Sequence, residues 1–506
     1  MEQRVLPVGS GRCGAWRGVK GVGRREVFSR SFRSGVRKGA MASVNKLSAI
    51  ILAAGKGTRM KSDLPKVLHL LCGRSLVEYP VAAAFDAGAA QVVVVTSGQP
   101  EIAHALRSRY GADRVAVVVQ DPPRGTGDAV RFGLAAVLHP RTLILYGDTP
   151  LIRAQDLSGL LGAIEREGTA LAILTALLEN PFGYGRVLRD SSGSVREVRE
   201  ERDLRSDGER GVREVNAGMY AADTEKLREA VAQLSPNNAQ GEYYLTDVVA
   251  LIAQVSKVET MQGEADALIG VNDRADLARA EELLYARHRD RLRKAGATIH
   301  GDARIDTGVE VAPDAEIGPG VCLRGKTRIG ARSRVDIGSV LDDADVGKHV
   351  EIKPYCVISQ SSVGDGAQLG PFLHVRPESV IEADAHLGNF VETKKTRVRR
   401  GAKANHLSYL GDADIGERAN IGAGTITCNY DGFVKRQTII GEGVFIGSDS
   451  HLVAPVTIGK NAYIATATTV TQDVPEGALA IGRVRQENKL GYASKLREKL
   501  AAAKKK

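Results

Sequence analysis

The spacing of apolar residues divides the chain into two parts with different periodicity. From Leu47 to about residue 272, short apolar runs alternate with stretches of helical pattern. The runs are rich in β-branched residues and bounded by Gly, Pro or Asp, which is typical of parallel strands buried on both faces. They predict strands over 48–54, 91–97, 115–120 and 142–148, and helices over 76–88 and 127–138. Residues 46–272 are therefore predicted to form a doubly wound α/β domain.

The second part has a period of six. A charged helical connector is predicted over 273–295, and a β-helix follows over 296–490, before a basic tail over 491–506. The repeating aliphatic positions are Ile305, Val311, Ile317, Leu323, Ile329, Val335 and Leu341; Ile352, Ile358, Val363, Leu369, Val375, Ile381 and Leu387; and Ile440, Ile446, Leu452, Ile458, Ile464 and Val470. Hexapeptide β-helix repeats have this spacing, since one aliphatic per six residues points inward and three hexapeptides complete a coil of about 18 residues.

The net charge of +10 does not indicate nucleic-acid binding once it is divided by segment. Residues 1–40 hold ten Lys/Arg and two Glu, a net of +8, and the last three lysines add +3. The body of the chain therefore carries 10 − 8 − 3 = −1, too neutral for a phosphate-backbone binder. No apolar run approaches the length of a membrane span, so no membrane partner is expected.

Cysteine usage and the first 45 residues bear on the compartment. The five cysteines show no C-x-x-C spacing, which favours a reducing cytoplasm and argues against structural zinc. Residues 1–45 are predicted to be a disordered leader or the product of an upstream start codon, because Met41 comes just before the first strand. An organellar transit peptide would have a similar Arg- and Ser-rich composition and is the alternative.

The first candidate site follows the first predicted strand. The segment LSAIILAAGKGTRMKSDLPK (47–66) changes from apolar to small residues and then to the cations Arg59 and Lys66. It matches neither the dinucleotide fingerprint nor the phosphate loop of the P-loop proteins. Ligands of doubly wound sheets bind beyond the carboxyl ends of the strands, where Asp148 also lies. An anionic ligand close to the backbone is expected, but this segment alone does not identify it.

Seven motifs in a fixed order identify a family. They are LAAGKGTRM-x5-PK (52–66), GTG (125–127), YGDTPL (146–151), FGYGR (182–186), NNAQGEYYLTD (237–247), KANHLSYLGD (403–412) and NIGAGTITCNYDG (420–432). Over about residues 46–490 the chain resembles the bacterial bifunctional N-acetylglucosamine-1-phosphate uridyltransferases and glucosamine-1-phosphate acetyltransferases. The resemblance implies a Rossmann-like pyrophosphorylase domain, a left-handed parallel β-helix and a homotrimer.

For the first domain, the resemblance implies a UTP site. Arg59 and Lys66 would neutralise phosphate charge, and Asp148 and Asn272 would be the protein ligands of a Mg²⁺ ion. The nucleophile is a phosphate oxygen that is already anionic, so no general base is required. The implied contacts of UTP and of the sugar nucleotide are Leu52, Ala53, Ala54, Gly55, Arg59, Lys66, Gln120, Gly125, Thr126, Tyr146, Gly147, Asp148, Gly185, Glu200, Asn216 and Asn272.

For the β-helix, the resemblance implies acetyl transfer from acetyl-CoA. An ammonium cannot attack a thioester, so a base must remove its proton, and His406 is the candidate, with Glu392 placed to orient it. The implied sugar-phosphate contacts are Arg376, Lys394, Tyr409 and Asn420. The implied acetyl-CoA contacts are Ala423, Asn429, Tyr430, Ser448, Thr466 and Arg483. Thr466 stands where the family usually has Ala, in a backbone contact, so activity is expected to survive.

Two other functions occur on this combination of folds. A nucleotidyltransferase with a purely structural β-helix would lack the cluster of His406, Lys394 and Tyr409, and the sequence has that cluster. A non-catalytic scaffold of the same fold would have lost the ionic residues of the first site, and Arg59, Lys66 and Asp148 are all present. Fold alone would have excluded neither alternative.

Overall fold

The computed structural model describes residues 47–55 and 57–504. The predicted leader lies outside the described residues. In the first part the strands are β1 Leu47–Ala53, β2 Leu70–Leu71, β3 Arg74–Ser75, β4 Gln91–Thr96, β5 Val115–Val119, β6 Arg141–Tyr146, β7 Thr169–Leu177, β8 Arg186–Arg189, β9 Val195–Arg199, β10 Glu214–Asp223 and β11 Lys257–Gln262. The helices are α1 Glu78–Asp86, α2 Pro100–Tyr110, α3 Thr126–Leu134, α4 Ala154–Ile164, α5 Asp207–Arg210, α6 Thr224–Ala232, α7 Asp247–Ala253, α8 Arg274–Lys294 and, near the end of the chain, α9 Tyr492–Ala503.

The sheet of the first part has the order β11-β7-β10-β6-β1-β4-β5. The four predicted strands are confirmed as β1, β4, β5 and β6, which are parallel to one another and lie side by side. The sheet as a whole is mixed, because β10 runs antiparallel between β6 and β7. Apolar clusters cover both faces of this sheet. The carboxyl ends of β1 and β6 therefore meet at one edge, where residues 54–55, residues 57–66 and Asp148 follow.

The second part is a three-sided coil of parallel strands. Face 1 consists of Thr298–Ile299, Glu316–Ile317, Arg334–Val335, Glu351–Ile352, Gln368–Leu369, His386–Asn389, Lys403–His406, Asn420–Ile421, Phe445–Ile446, Tyr463–Ile464 and Leu479–Ala480. Face 2 consists of Arg304–Ile305, Cys322–Arg324, Val340–Asp342, Val357–Ser359, His374–Val375, Glu392–Lys394, Tyr409–Gly411, Ile426–Cys428, His451–Val453 and Thr469–Val470. Face 3 consists of Glu310–Val311, Arg328–Ile329, Asp345–Val346, Ser362–Val363, Val380–Ile381, Arg397–Val398, Ala413–Ile415, Thr438–Ile440 and Val456–Ile458.

The predicted inward positions form one continuous core. The structure also fills the gaps in the sequence pattern. Between Leu387 and Ile440 several inward residues are small or polar, and among them Thr393 and Thr427 are fully buried. Their hydroxyls are satisfied: Thr393 donates to the Ser379 Oγ at 3.2 Å, and Thr427 donates to the Gly411 carbonyl at 3.0 Å. A search for aliphatics alone loses the repeat here, although the coil continues.

The edge between faces 1 and 2 carries exposed apolar side chains in four successive coils. We call Tyr355, Phe372, Phe390 and Leu407 the apolar edge. All four have left-handed backbone, with φ between 45° and 58°, at the corner of the coil. The three aromatic rings stack, with centroids 5.5 Å and 5.4 Å apart along the edge. A continuous apolar ridge therefore runs along one corner of the β-helix.

Helix α8 joins the two parts through contacts on both sides. Towards the first part, its Tyr285 packs in a buried cluster with Leu71, Tyr79 and Val271. Towards the second part, Leu292 belongs to the core of the β-helix. The guanidinium groups of Arg289 and Arg293 donate to the carbonyls of Ala303 and Ile299 in the first coil, at 3.1 Å and 3.0 Å. Helix α8 thereby covers the open end of the β-helix, an edge that needs protection.

Within the described part of the chain, none of the helices is apolar over a length that would cross a membrane.

The packing of α8 predicts that the first part is not fully stable without it. A fragment of residues 41–272 would expose Leu71, Tyr79 and Val271, each of which contributes about 1.5–3 kcal/mol when buried. We expect its urea midpoint to lie clearly below that of a fragment of residues 41–295, which keeps α8. Equal midpoints for the two fragments would show that α8 adds nothing to the first part.

Candidate active sites

The first site is a cavity of about 480 Å³ at the carboxyl ends of β1 and β6. It is lined by Leu52, Ala53, Ala54, Gly55, Lys66, Val67, Gln120, Pro123, Gly125, Thr126, Ala129, Tyr146, Asp148 and Glu242. Ten of these are among the contacts implied by the sequence, from Leu52 to Asp148. Gly147 lies directly beside them, because its N–H donates to the Leu52 carbonyl at 2.9 Å.

Gly125 lets two segments of the chain approach each other closely at the wall of this cavity. Gly125 has φ = +108°, and a Cβ there would lie 2.6 Å from the Tyr243 carbonyl oxygen, so only glycine fits. Gln120, which is 2 % exposed, donates one amide hydrogen to the Gly125 carbonyl at 3.1 Å and the other to Asp128 at 2.9 Å. Both amide hydrogens of Gln120 are therefore used within the protein. Its side-chain carbonyl oxygen, a hydrogen-bond acceptor, remains for a ligand.

Arg59 and Lys66, the two cations that follow β1, are paired with the two candidate metal ligands. The Lys66 ammonium forms an ion pair with the Asp148 carboxylate. The Arg59 guanidinium donates to the Asn272 Oδ1 at 2.9 Å. The Val271 N–H donates to the Asp148 carbonyl at 2.8 Å, which brings Asn272 next to Asp148. Lys66 and Asp148 line the cavity, and the structure brings Asn272 and Arg59 next to them, outside the cavity lining.

The donor set fits magnesium better than a transition metal. In the described part of the chain, no three His, Cys, Asp or Glu side chains converge into a metal-binding group. A carboxylate from Asp148 and an amide oxygen from Asn272 are hard oxygen donors, which suit Mg²⁺. Two protein ligands leave most of the octahedron to water and to the phosphates of a substrate. A divalent ion would also have to displace Lys66 and Arg59 from these oxygens.

A second cavity, of about 520 Å³, adjoins the first and shares Thr126, Tyr146 and Glu242 with it. Glu200 lines it, and burial raises the pKa of its carboxyl against the opposing effect of a hydrogen bond from the Thr246 hydroxyl at 3.0 Å. Gly185 lies behind this carboxylate, since a Cβ there would come within 3.4 Å of the Glu200 Oε2.

Asn216 stands behind the same wall of the second cavity. Its backbone N–H donates to the Gly185 carbonyl at 2.9 Å, and its side chain donates to the Tyr220 hydroxyl at 2.7 Å. Three further residues here had no role in the sequence interpretation: Glu242, Tyr244 and Thr246. All three belong to the motif NNAQGEYYLTD (237–247), so the sequence contained the signal that could have identified them.

The third constellation lies on the outside of the β-helix. Asn389 and His406 are paired in adjacent strands of face 1, and the Asn389 Oδ1 lies 3.1 Å from the His406 Nδ1. An amide oxygen accepts, so Nδ1 carries the hydrogen in this arrangement and Nε2 is left as the basic nitrogen. The sequence interpretation missed Asn389, although it precedes His406 by 17 residues, which is one coil.

Glu392 does not contact His406 in this structure, contrary to the expectation from the sequence. It is paired instead with Arg376, at 2.8 Å. Glu392 lies beside Tyr409 in adjacent strands of face 2, and Lys394 lies beside Gly411. The Lys435 ammonium, followed by Arg376, lowers the pKa of Lys394. Arg376, Lys394 and Lys435 thus form a cluster of three cations that suits a phosphate dianion. Lys435 was missed because it lies in the inserted loop, residues 429–437, between the strands Ile426–Cys428 and Thr438–Ile440.

Asn420 lies apart from this cluster within one chain. Its neighbours in face 1 are Lys403 and Phe445, and Lys403 begins the strand that His406 ends. Three residues along a strand span about 10 Å, so Asn420 and His406 lie at opposite ends of this face.

The six implied acetyl-CoA contacts fall into two groups. Ala423, Ser448, Thr466 and Arg483 follow one another at the edge between faces 1 and 2, where backbone hydrogen bonds join consecutive coils, and the Arg483 guanidinium donates to the Thr466 carbonyl at 2.5 Å. Asn429 and Tyr430 lie beyond the far end of face 2, in the inserted loop. The Asn429 amide donates there to Asp412 at 2.5 Å. One chain alone does not bring the two groups together.

Comparison with known proteins gives the family. Residues 49–214 match a MobA-like NTP transferase domain, and residues 437–472 match the bacterial transferase hexapeptide family. A protein of Sorangium cellulosum named bifunctional protein GlmU is 57 % identical over 467 residues, covering 91 % of this chain and 98 % of its own. The chain belongs to the GlmU family. Proteins of the same name from Anaeromyxobacter dehalogenans and Trichlorobacter lovleyi are 50 % and 46 % identical, over 88 % and 89 % of this chain and 93 % and 99 % of their own.

Membership of the GlmU family confirms the resemblance seen in the sequence. The chain is a bifunctional enzyme, a uridyltransferase and an acetyltransferase. Its fold class is also confirmed: an NTP transferase domain is followed by a hexapeptide-repeat region whose three parallel sheets are those of a left-handed β-helix.

The pairing of Lys66 with Asp148 predicts that this GlmU-family protein binds metal weakly without nucleotide. Lys66→Met removes the competing cation, so we expect Mn²⁺, followed by electron paramagnetic resonance, to bind the nucleotide-free variant roughly tenfold more tightly than the wild type. Lys61→Met, at an exposed lysine of the same segment, is the matched control and should behave as wild type. If the wild type binds Mn²⁺ as tightly as Lys66→Met, the ammonium does not compete for this site.

Proposed function

We propose that the enzyme first acetylates glucosamine-1-phosphate with acetyl-CoA and then transfers UMP from UTP to the product, giving UDP-N-acetylglucosamine and pyrophosphate. The observation that carries this proposal is the cluster on the β-helix. His406 stands beside Asn389, one corner away from Tyr409 and the cations Arg376 and Lys394. A β-helix with only a structural role would not require the His406 imidazole close to a cluster of cations.

In the uridyltransferase site, the first cavity would hold UTP and the second the amino sugar. Ala53, Ala54 and Gly55 leave room for the uracil ring against the backbone. Gln120 offers the acceptor that the uracil imide N–H requires, because its own amide hydrogens are already committed. Glu200 would contact the sugar in the second cavity, and Gly185 and Asn216 would support the wall behind it.

Charge neutralisation would carry the chemistry of this site. The phosphate oxygen of N-acetylglucosamine-1-phosphate attacks the α-phosphorus of UTP and pyrophosphate leaves. When the triphosphate enters, Lys66 and Arg59 would move from Asp148 and Asn272 to the phosphate oxygens. Asp148 and Asn272 would then be free to hold Mg²⁺, whose charge offsets that of the phosphates when it is bound. No general base is needed, since the nucleophile is anionic.

In the acetyltransferase site, the sugar phosphate would be held by Arg376, Lys394 and Tyr409, together with Lys435, which lies close to Lys394. The Nε2 of His406 would take the proton of the amine as it attacks the thioester carbonyl of acetyl-CoA, and coenzyme A leaves as the thiol. Asn389 would hold the imidazole in the tautomer that leaves Nε2 free to accept, because its amide oxygen lies against Nδ1.

We also propose that the protein is a homotrimer assembled through residues 296–490. The apolar edge supports this, because stacked aromatic rings along a corner would be covered by a second copy of the chain. The division of the acetyl-CoA contacts between two edges, and the separate position of Asn420, support it as well. A neighbouring copy would supply the missing half of each site. Cyclic symmetry closes such a contact without leaving an open end.

The compartment and the domain limits belong to the same proposal. Cys72, Cys322, Cys356 and Cys428 are free, which suits a reducing cytoplasm. Uridylyl transfer is assigned to residues 46–272 together with α8, and acetyl transfer to residues 296–490.

Two variants of the purified enzyme test the proposed function. Asp148→Ala should lower uridylyl transfer by roughly 10²–10³-fold through the loss of a metal ligand, and leave acetyl transfer near wild type. His406→Ala should lower acetyl transfer by roughly 10²–10⁴-fold through the loss of the base, and leave uridylyl transfer unchanged. The two rates are measured separately, by release of pyrophosphate and by release of coenzyme A thiol.

The same assay contains its control and the result that would contradict it. Wild-type enzyme should form UDP-N-acetylglucosamine only when glucosamine-1-phosphate, acetyl-CoA, UTP and Mg²⁺ are all present. Equal loss of both rates in either folded variant would refute two independent sites. Wild-type enzyme that releases pyrophosphate but no coenzyme A would leave the β-helix with only a structural role.

The trimer has its own test at the apolar edge. Phe372→Glu places a charge on the ridge, where Phe372 is 49 % exposed in one chain, and should shift the protein from trimer to monomer in sedimentation at micromolar concentration. Acetyl transfer should fall with it while uridylyl transfer persists. Val380→Glu, at a residue of face 3 that is 39 % exposed, is the matched control and should stay trimeric. A wild-type monomer that acetylates at full rate would refute the assembly.

A further inference from the structure

Gly411 occupies a position where the backbone does not require glycine. It lies within the strand Tyr409–Gly411 of face 2, outside the left-handed region that favours this residue. Gly411 pairs there with Lys394 of the preceding coil. A strand residue at such a place would normally carry a side chain, since glycine weakens a strand.

The ring of Tyr409 takes the space that a side chain at Gly411 would need. A Cβ on Gly411 would lie 2.5 Å from the Tyr409 Oη, 2.7 Å from Cζ and 2.8 Å from Cε1. The ring therefore extends along its own strand over Gly411, which is buried. This orientation carries the phenol oxygen from the position of Glu392 to that of Lys394.

The backbone at Gly411 is held from the inside of the coil and would not move aside. Its N–H donates to the Thr427 Oγ1 at 2.7 Å, and its carbonyl accepts from the same hydroxyl at 3.0 Å. Thr427 is fully buried in the core. An added methyl group would therefore be accommodated by rotating the Tyr409 side chain, which has two free torsions, rather than by shifting the strand.

We infer that Gly411 is a positioning residue of the sugar-phosphate site: because it has no side chain, the Tyr409 ring can extend over it, towards the strand position paired with Lys394. The inference rests on the proposed function, in which Tyr409 and Lys394 bind the phosphate of the acetyl acceptor. It predicts that Gly411 acts only through Tyr409. The glycine itself need not touch the substrate.

A double-mutant cycle in the full-length enzyme tests this. Gly411→Ala should raise the KM of acetyl transfer for glucosamine-1-phosphate roughly tenfold, with a smaller change in kcat, because a displaced phenol loses a hydrogen bond to a charged group. Tyr409→Ala should raise KM by a similar factor. The double variant should be no worse than Tyr409→Ala alone, since nothing is left to displace.

The thermal midpoint of the variants distinguishes a positioning role of Gly411 from a structural one. Gly411→Ala should keep the thermal midpoint and the uridylyl-transfer rate of the wild type. Gly388→Ala is the contrasting variant, because a Cβ there would lie 1.9 Å from the Asn405 carbonyl oxygen, and it should lower the midpoint. If Gly411→Ala lowers the midpoint as Gly388→Ala does, and Tyr409→Ala does not restore it in the double variant, Gly411 is structural and the inference is wrong.

The remaining outcomes also decide between the possibilities. Additive effects of Gly411→Ala and Tyr409→Ala on KM would mean that Gly411 acts independently of the ring, which overturns the inference while leaving the proposed function intact. A wild-type enzyme with no acetyl transfer would instead refute the proposed function itself.

Discussion

The stacking of one coil on the next determines where every outward side chain of the β-helix lies. Each strand hydrogen-bonds to the strands of the preceding and following coils, and strands in such sheets are about 4.8 Å apart. Residues one coil apart in sequence thus become neighbours in space, as Asn389 and His406 do on face 1 and Lys394 and Gly411 on face 2. The candidate acetyltransferase site is a set of such neighbours, so its geometry follows from the coil.

Much of the fold was accessible from periodicity, since it depends on burial. The four predicted strands of the first sheet and the inward aliphatics of the coil are confirmed. Their apolar side chains are favoured in the core and disfavoured in water, so the apolar pattern predicts which residues are buried. The antiparallel pairing of β10 with β6 and β7 was not predicted, since strand direction leaves no mark on a buried apolar run. The six-residue repeat was not recognised in the coils around Thr393 and Thr427, because their inward residues are polar. The buried hydroxyls of these residues form hydrogen bonds with partners that are close only in the folded coil.

The candidate sites were less predictable where they depend on contacts between side chains. The motifs led to Lys66, Asp148 and His406, but not to the pairing of Lys66 with Asp148, which is a choice of partner among several charges. Glu392 was expected near His406 and is held by Arg376 instead. Asn389 and Lys435 were missed because they lie one coil or one loop away from the residues that they contact, and single motifs do not record such relations. Gly411 lies within a quoted motif, but its relation to Tyr409 depends on the direction of a side chain, which the motif does not record.

Helix α8 has a consequence for how the protein is made. The sheet of the first part is complete at Gln262, but the face formed by Leu71, Tyr79 and Val271 is covered only when α8, which ends at Lys294, has been synthesised. At ribosomal rates of about 5–20 residues per second, the chain between Gln262 and Lys294 takes roughly 2–6 s to synthesise. During that interval the nascent chain carries an uncovered apolar surface, and α8 then covers it and contributes Leu292 to the core of the first coil.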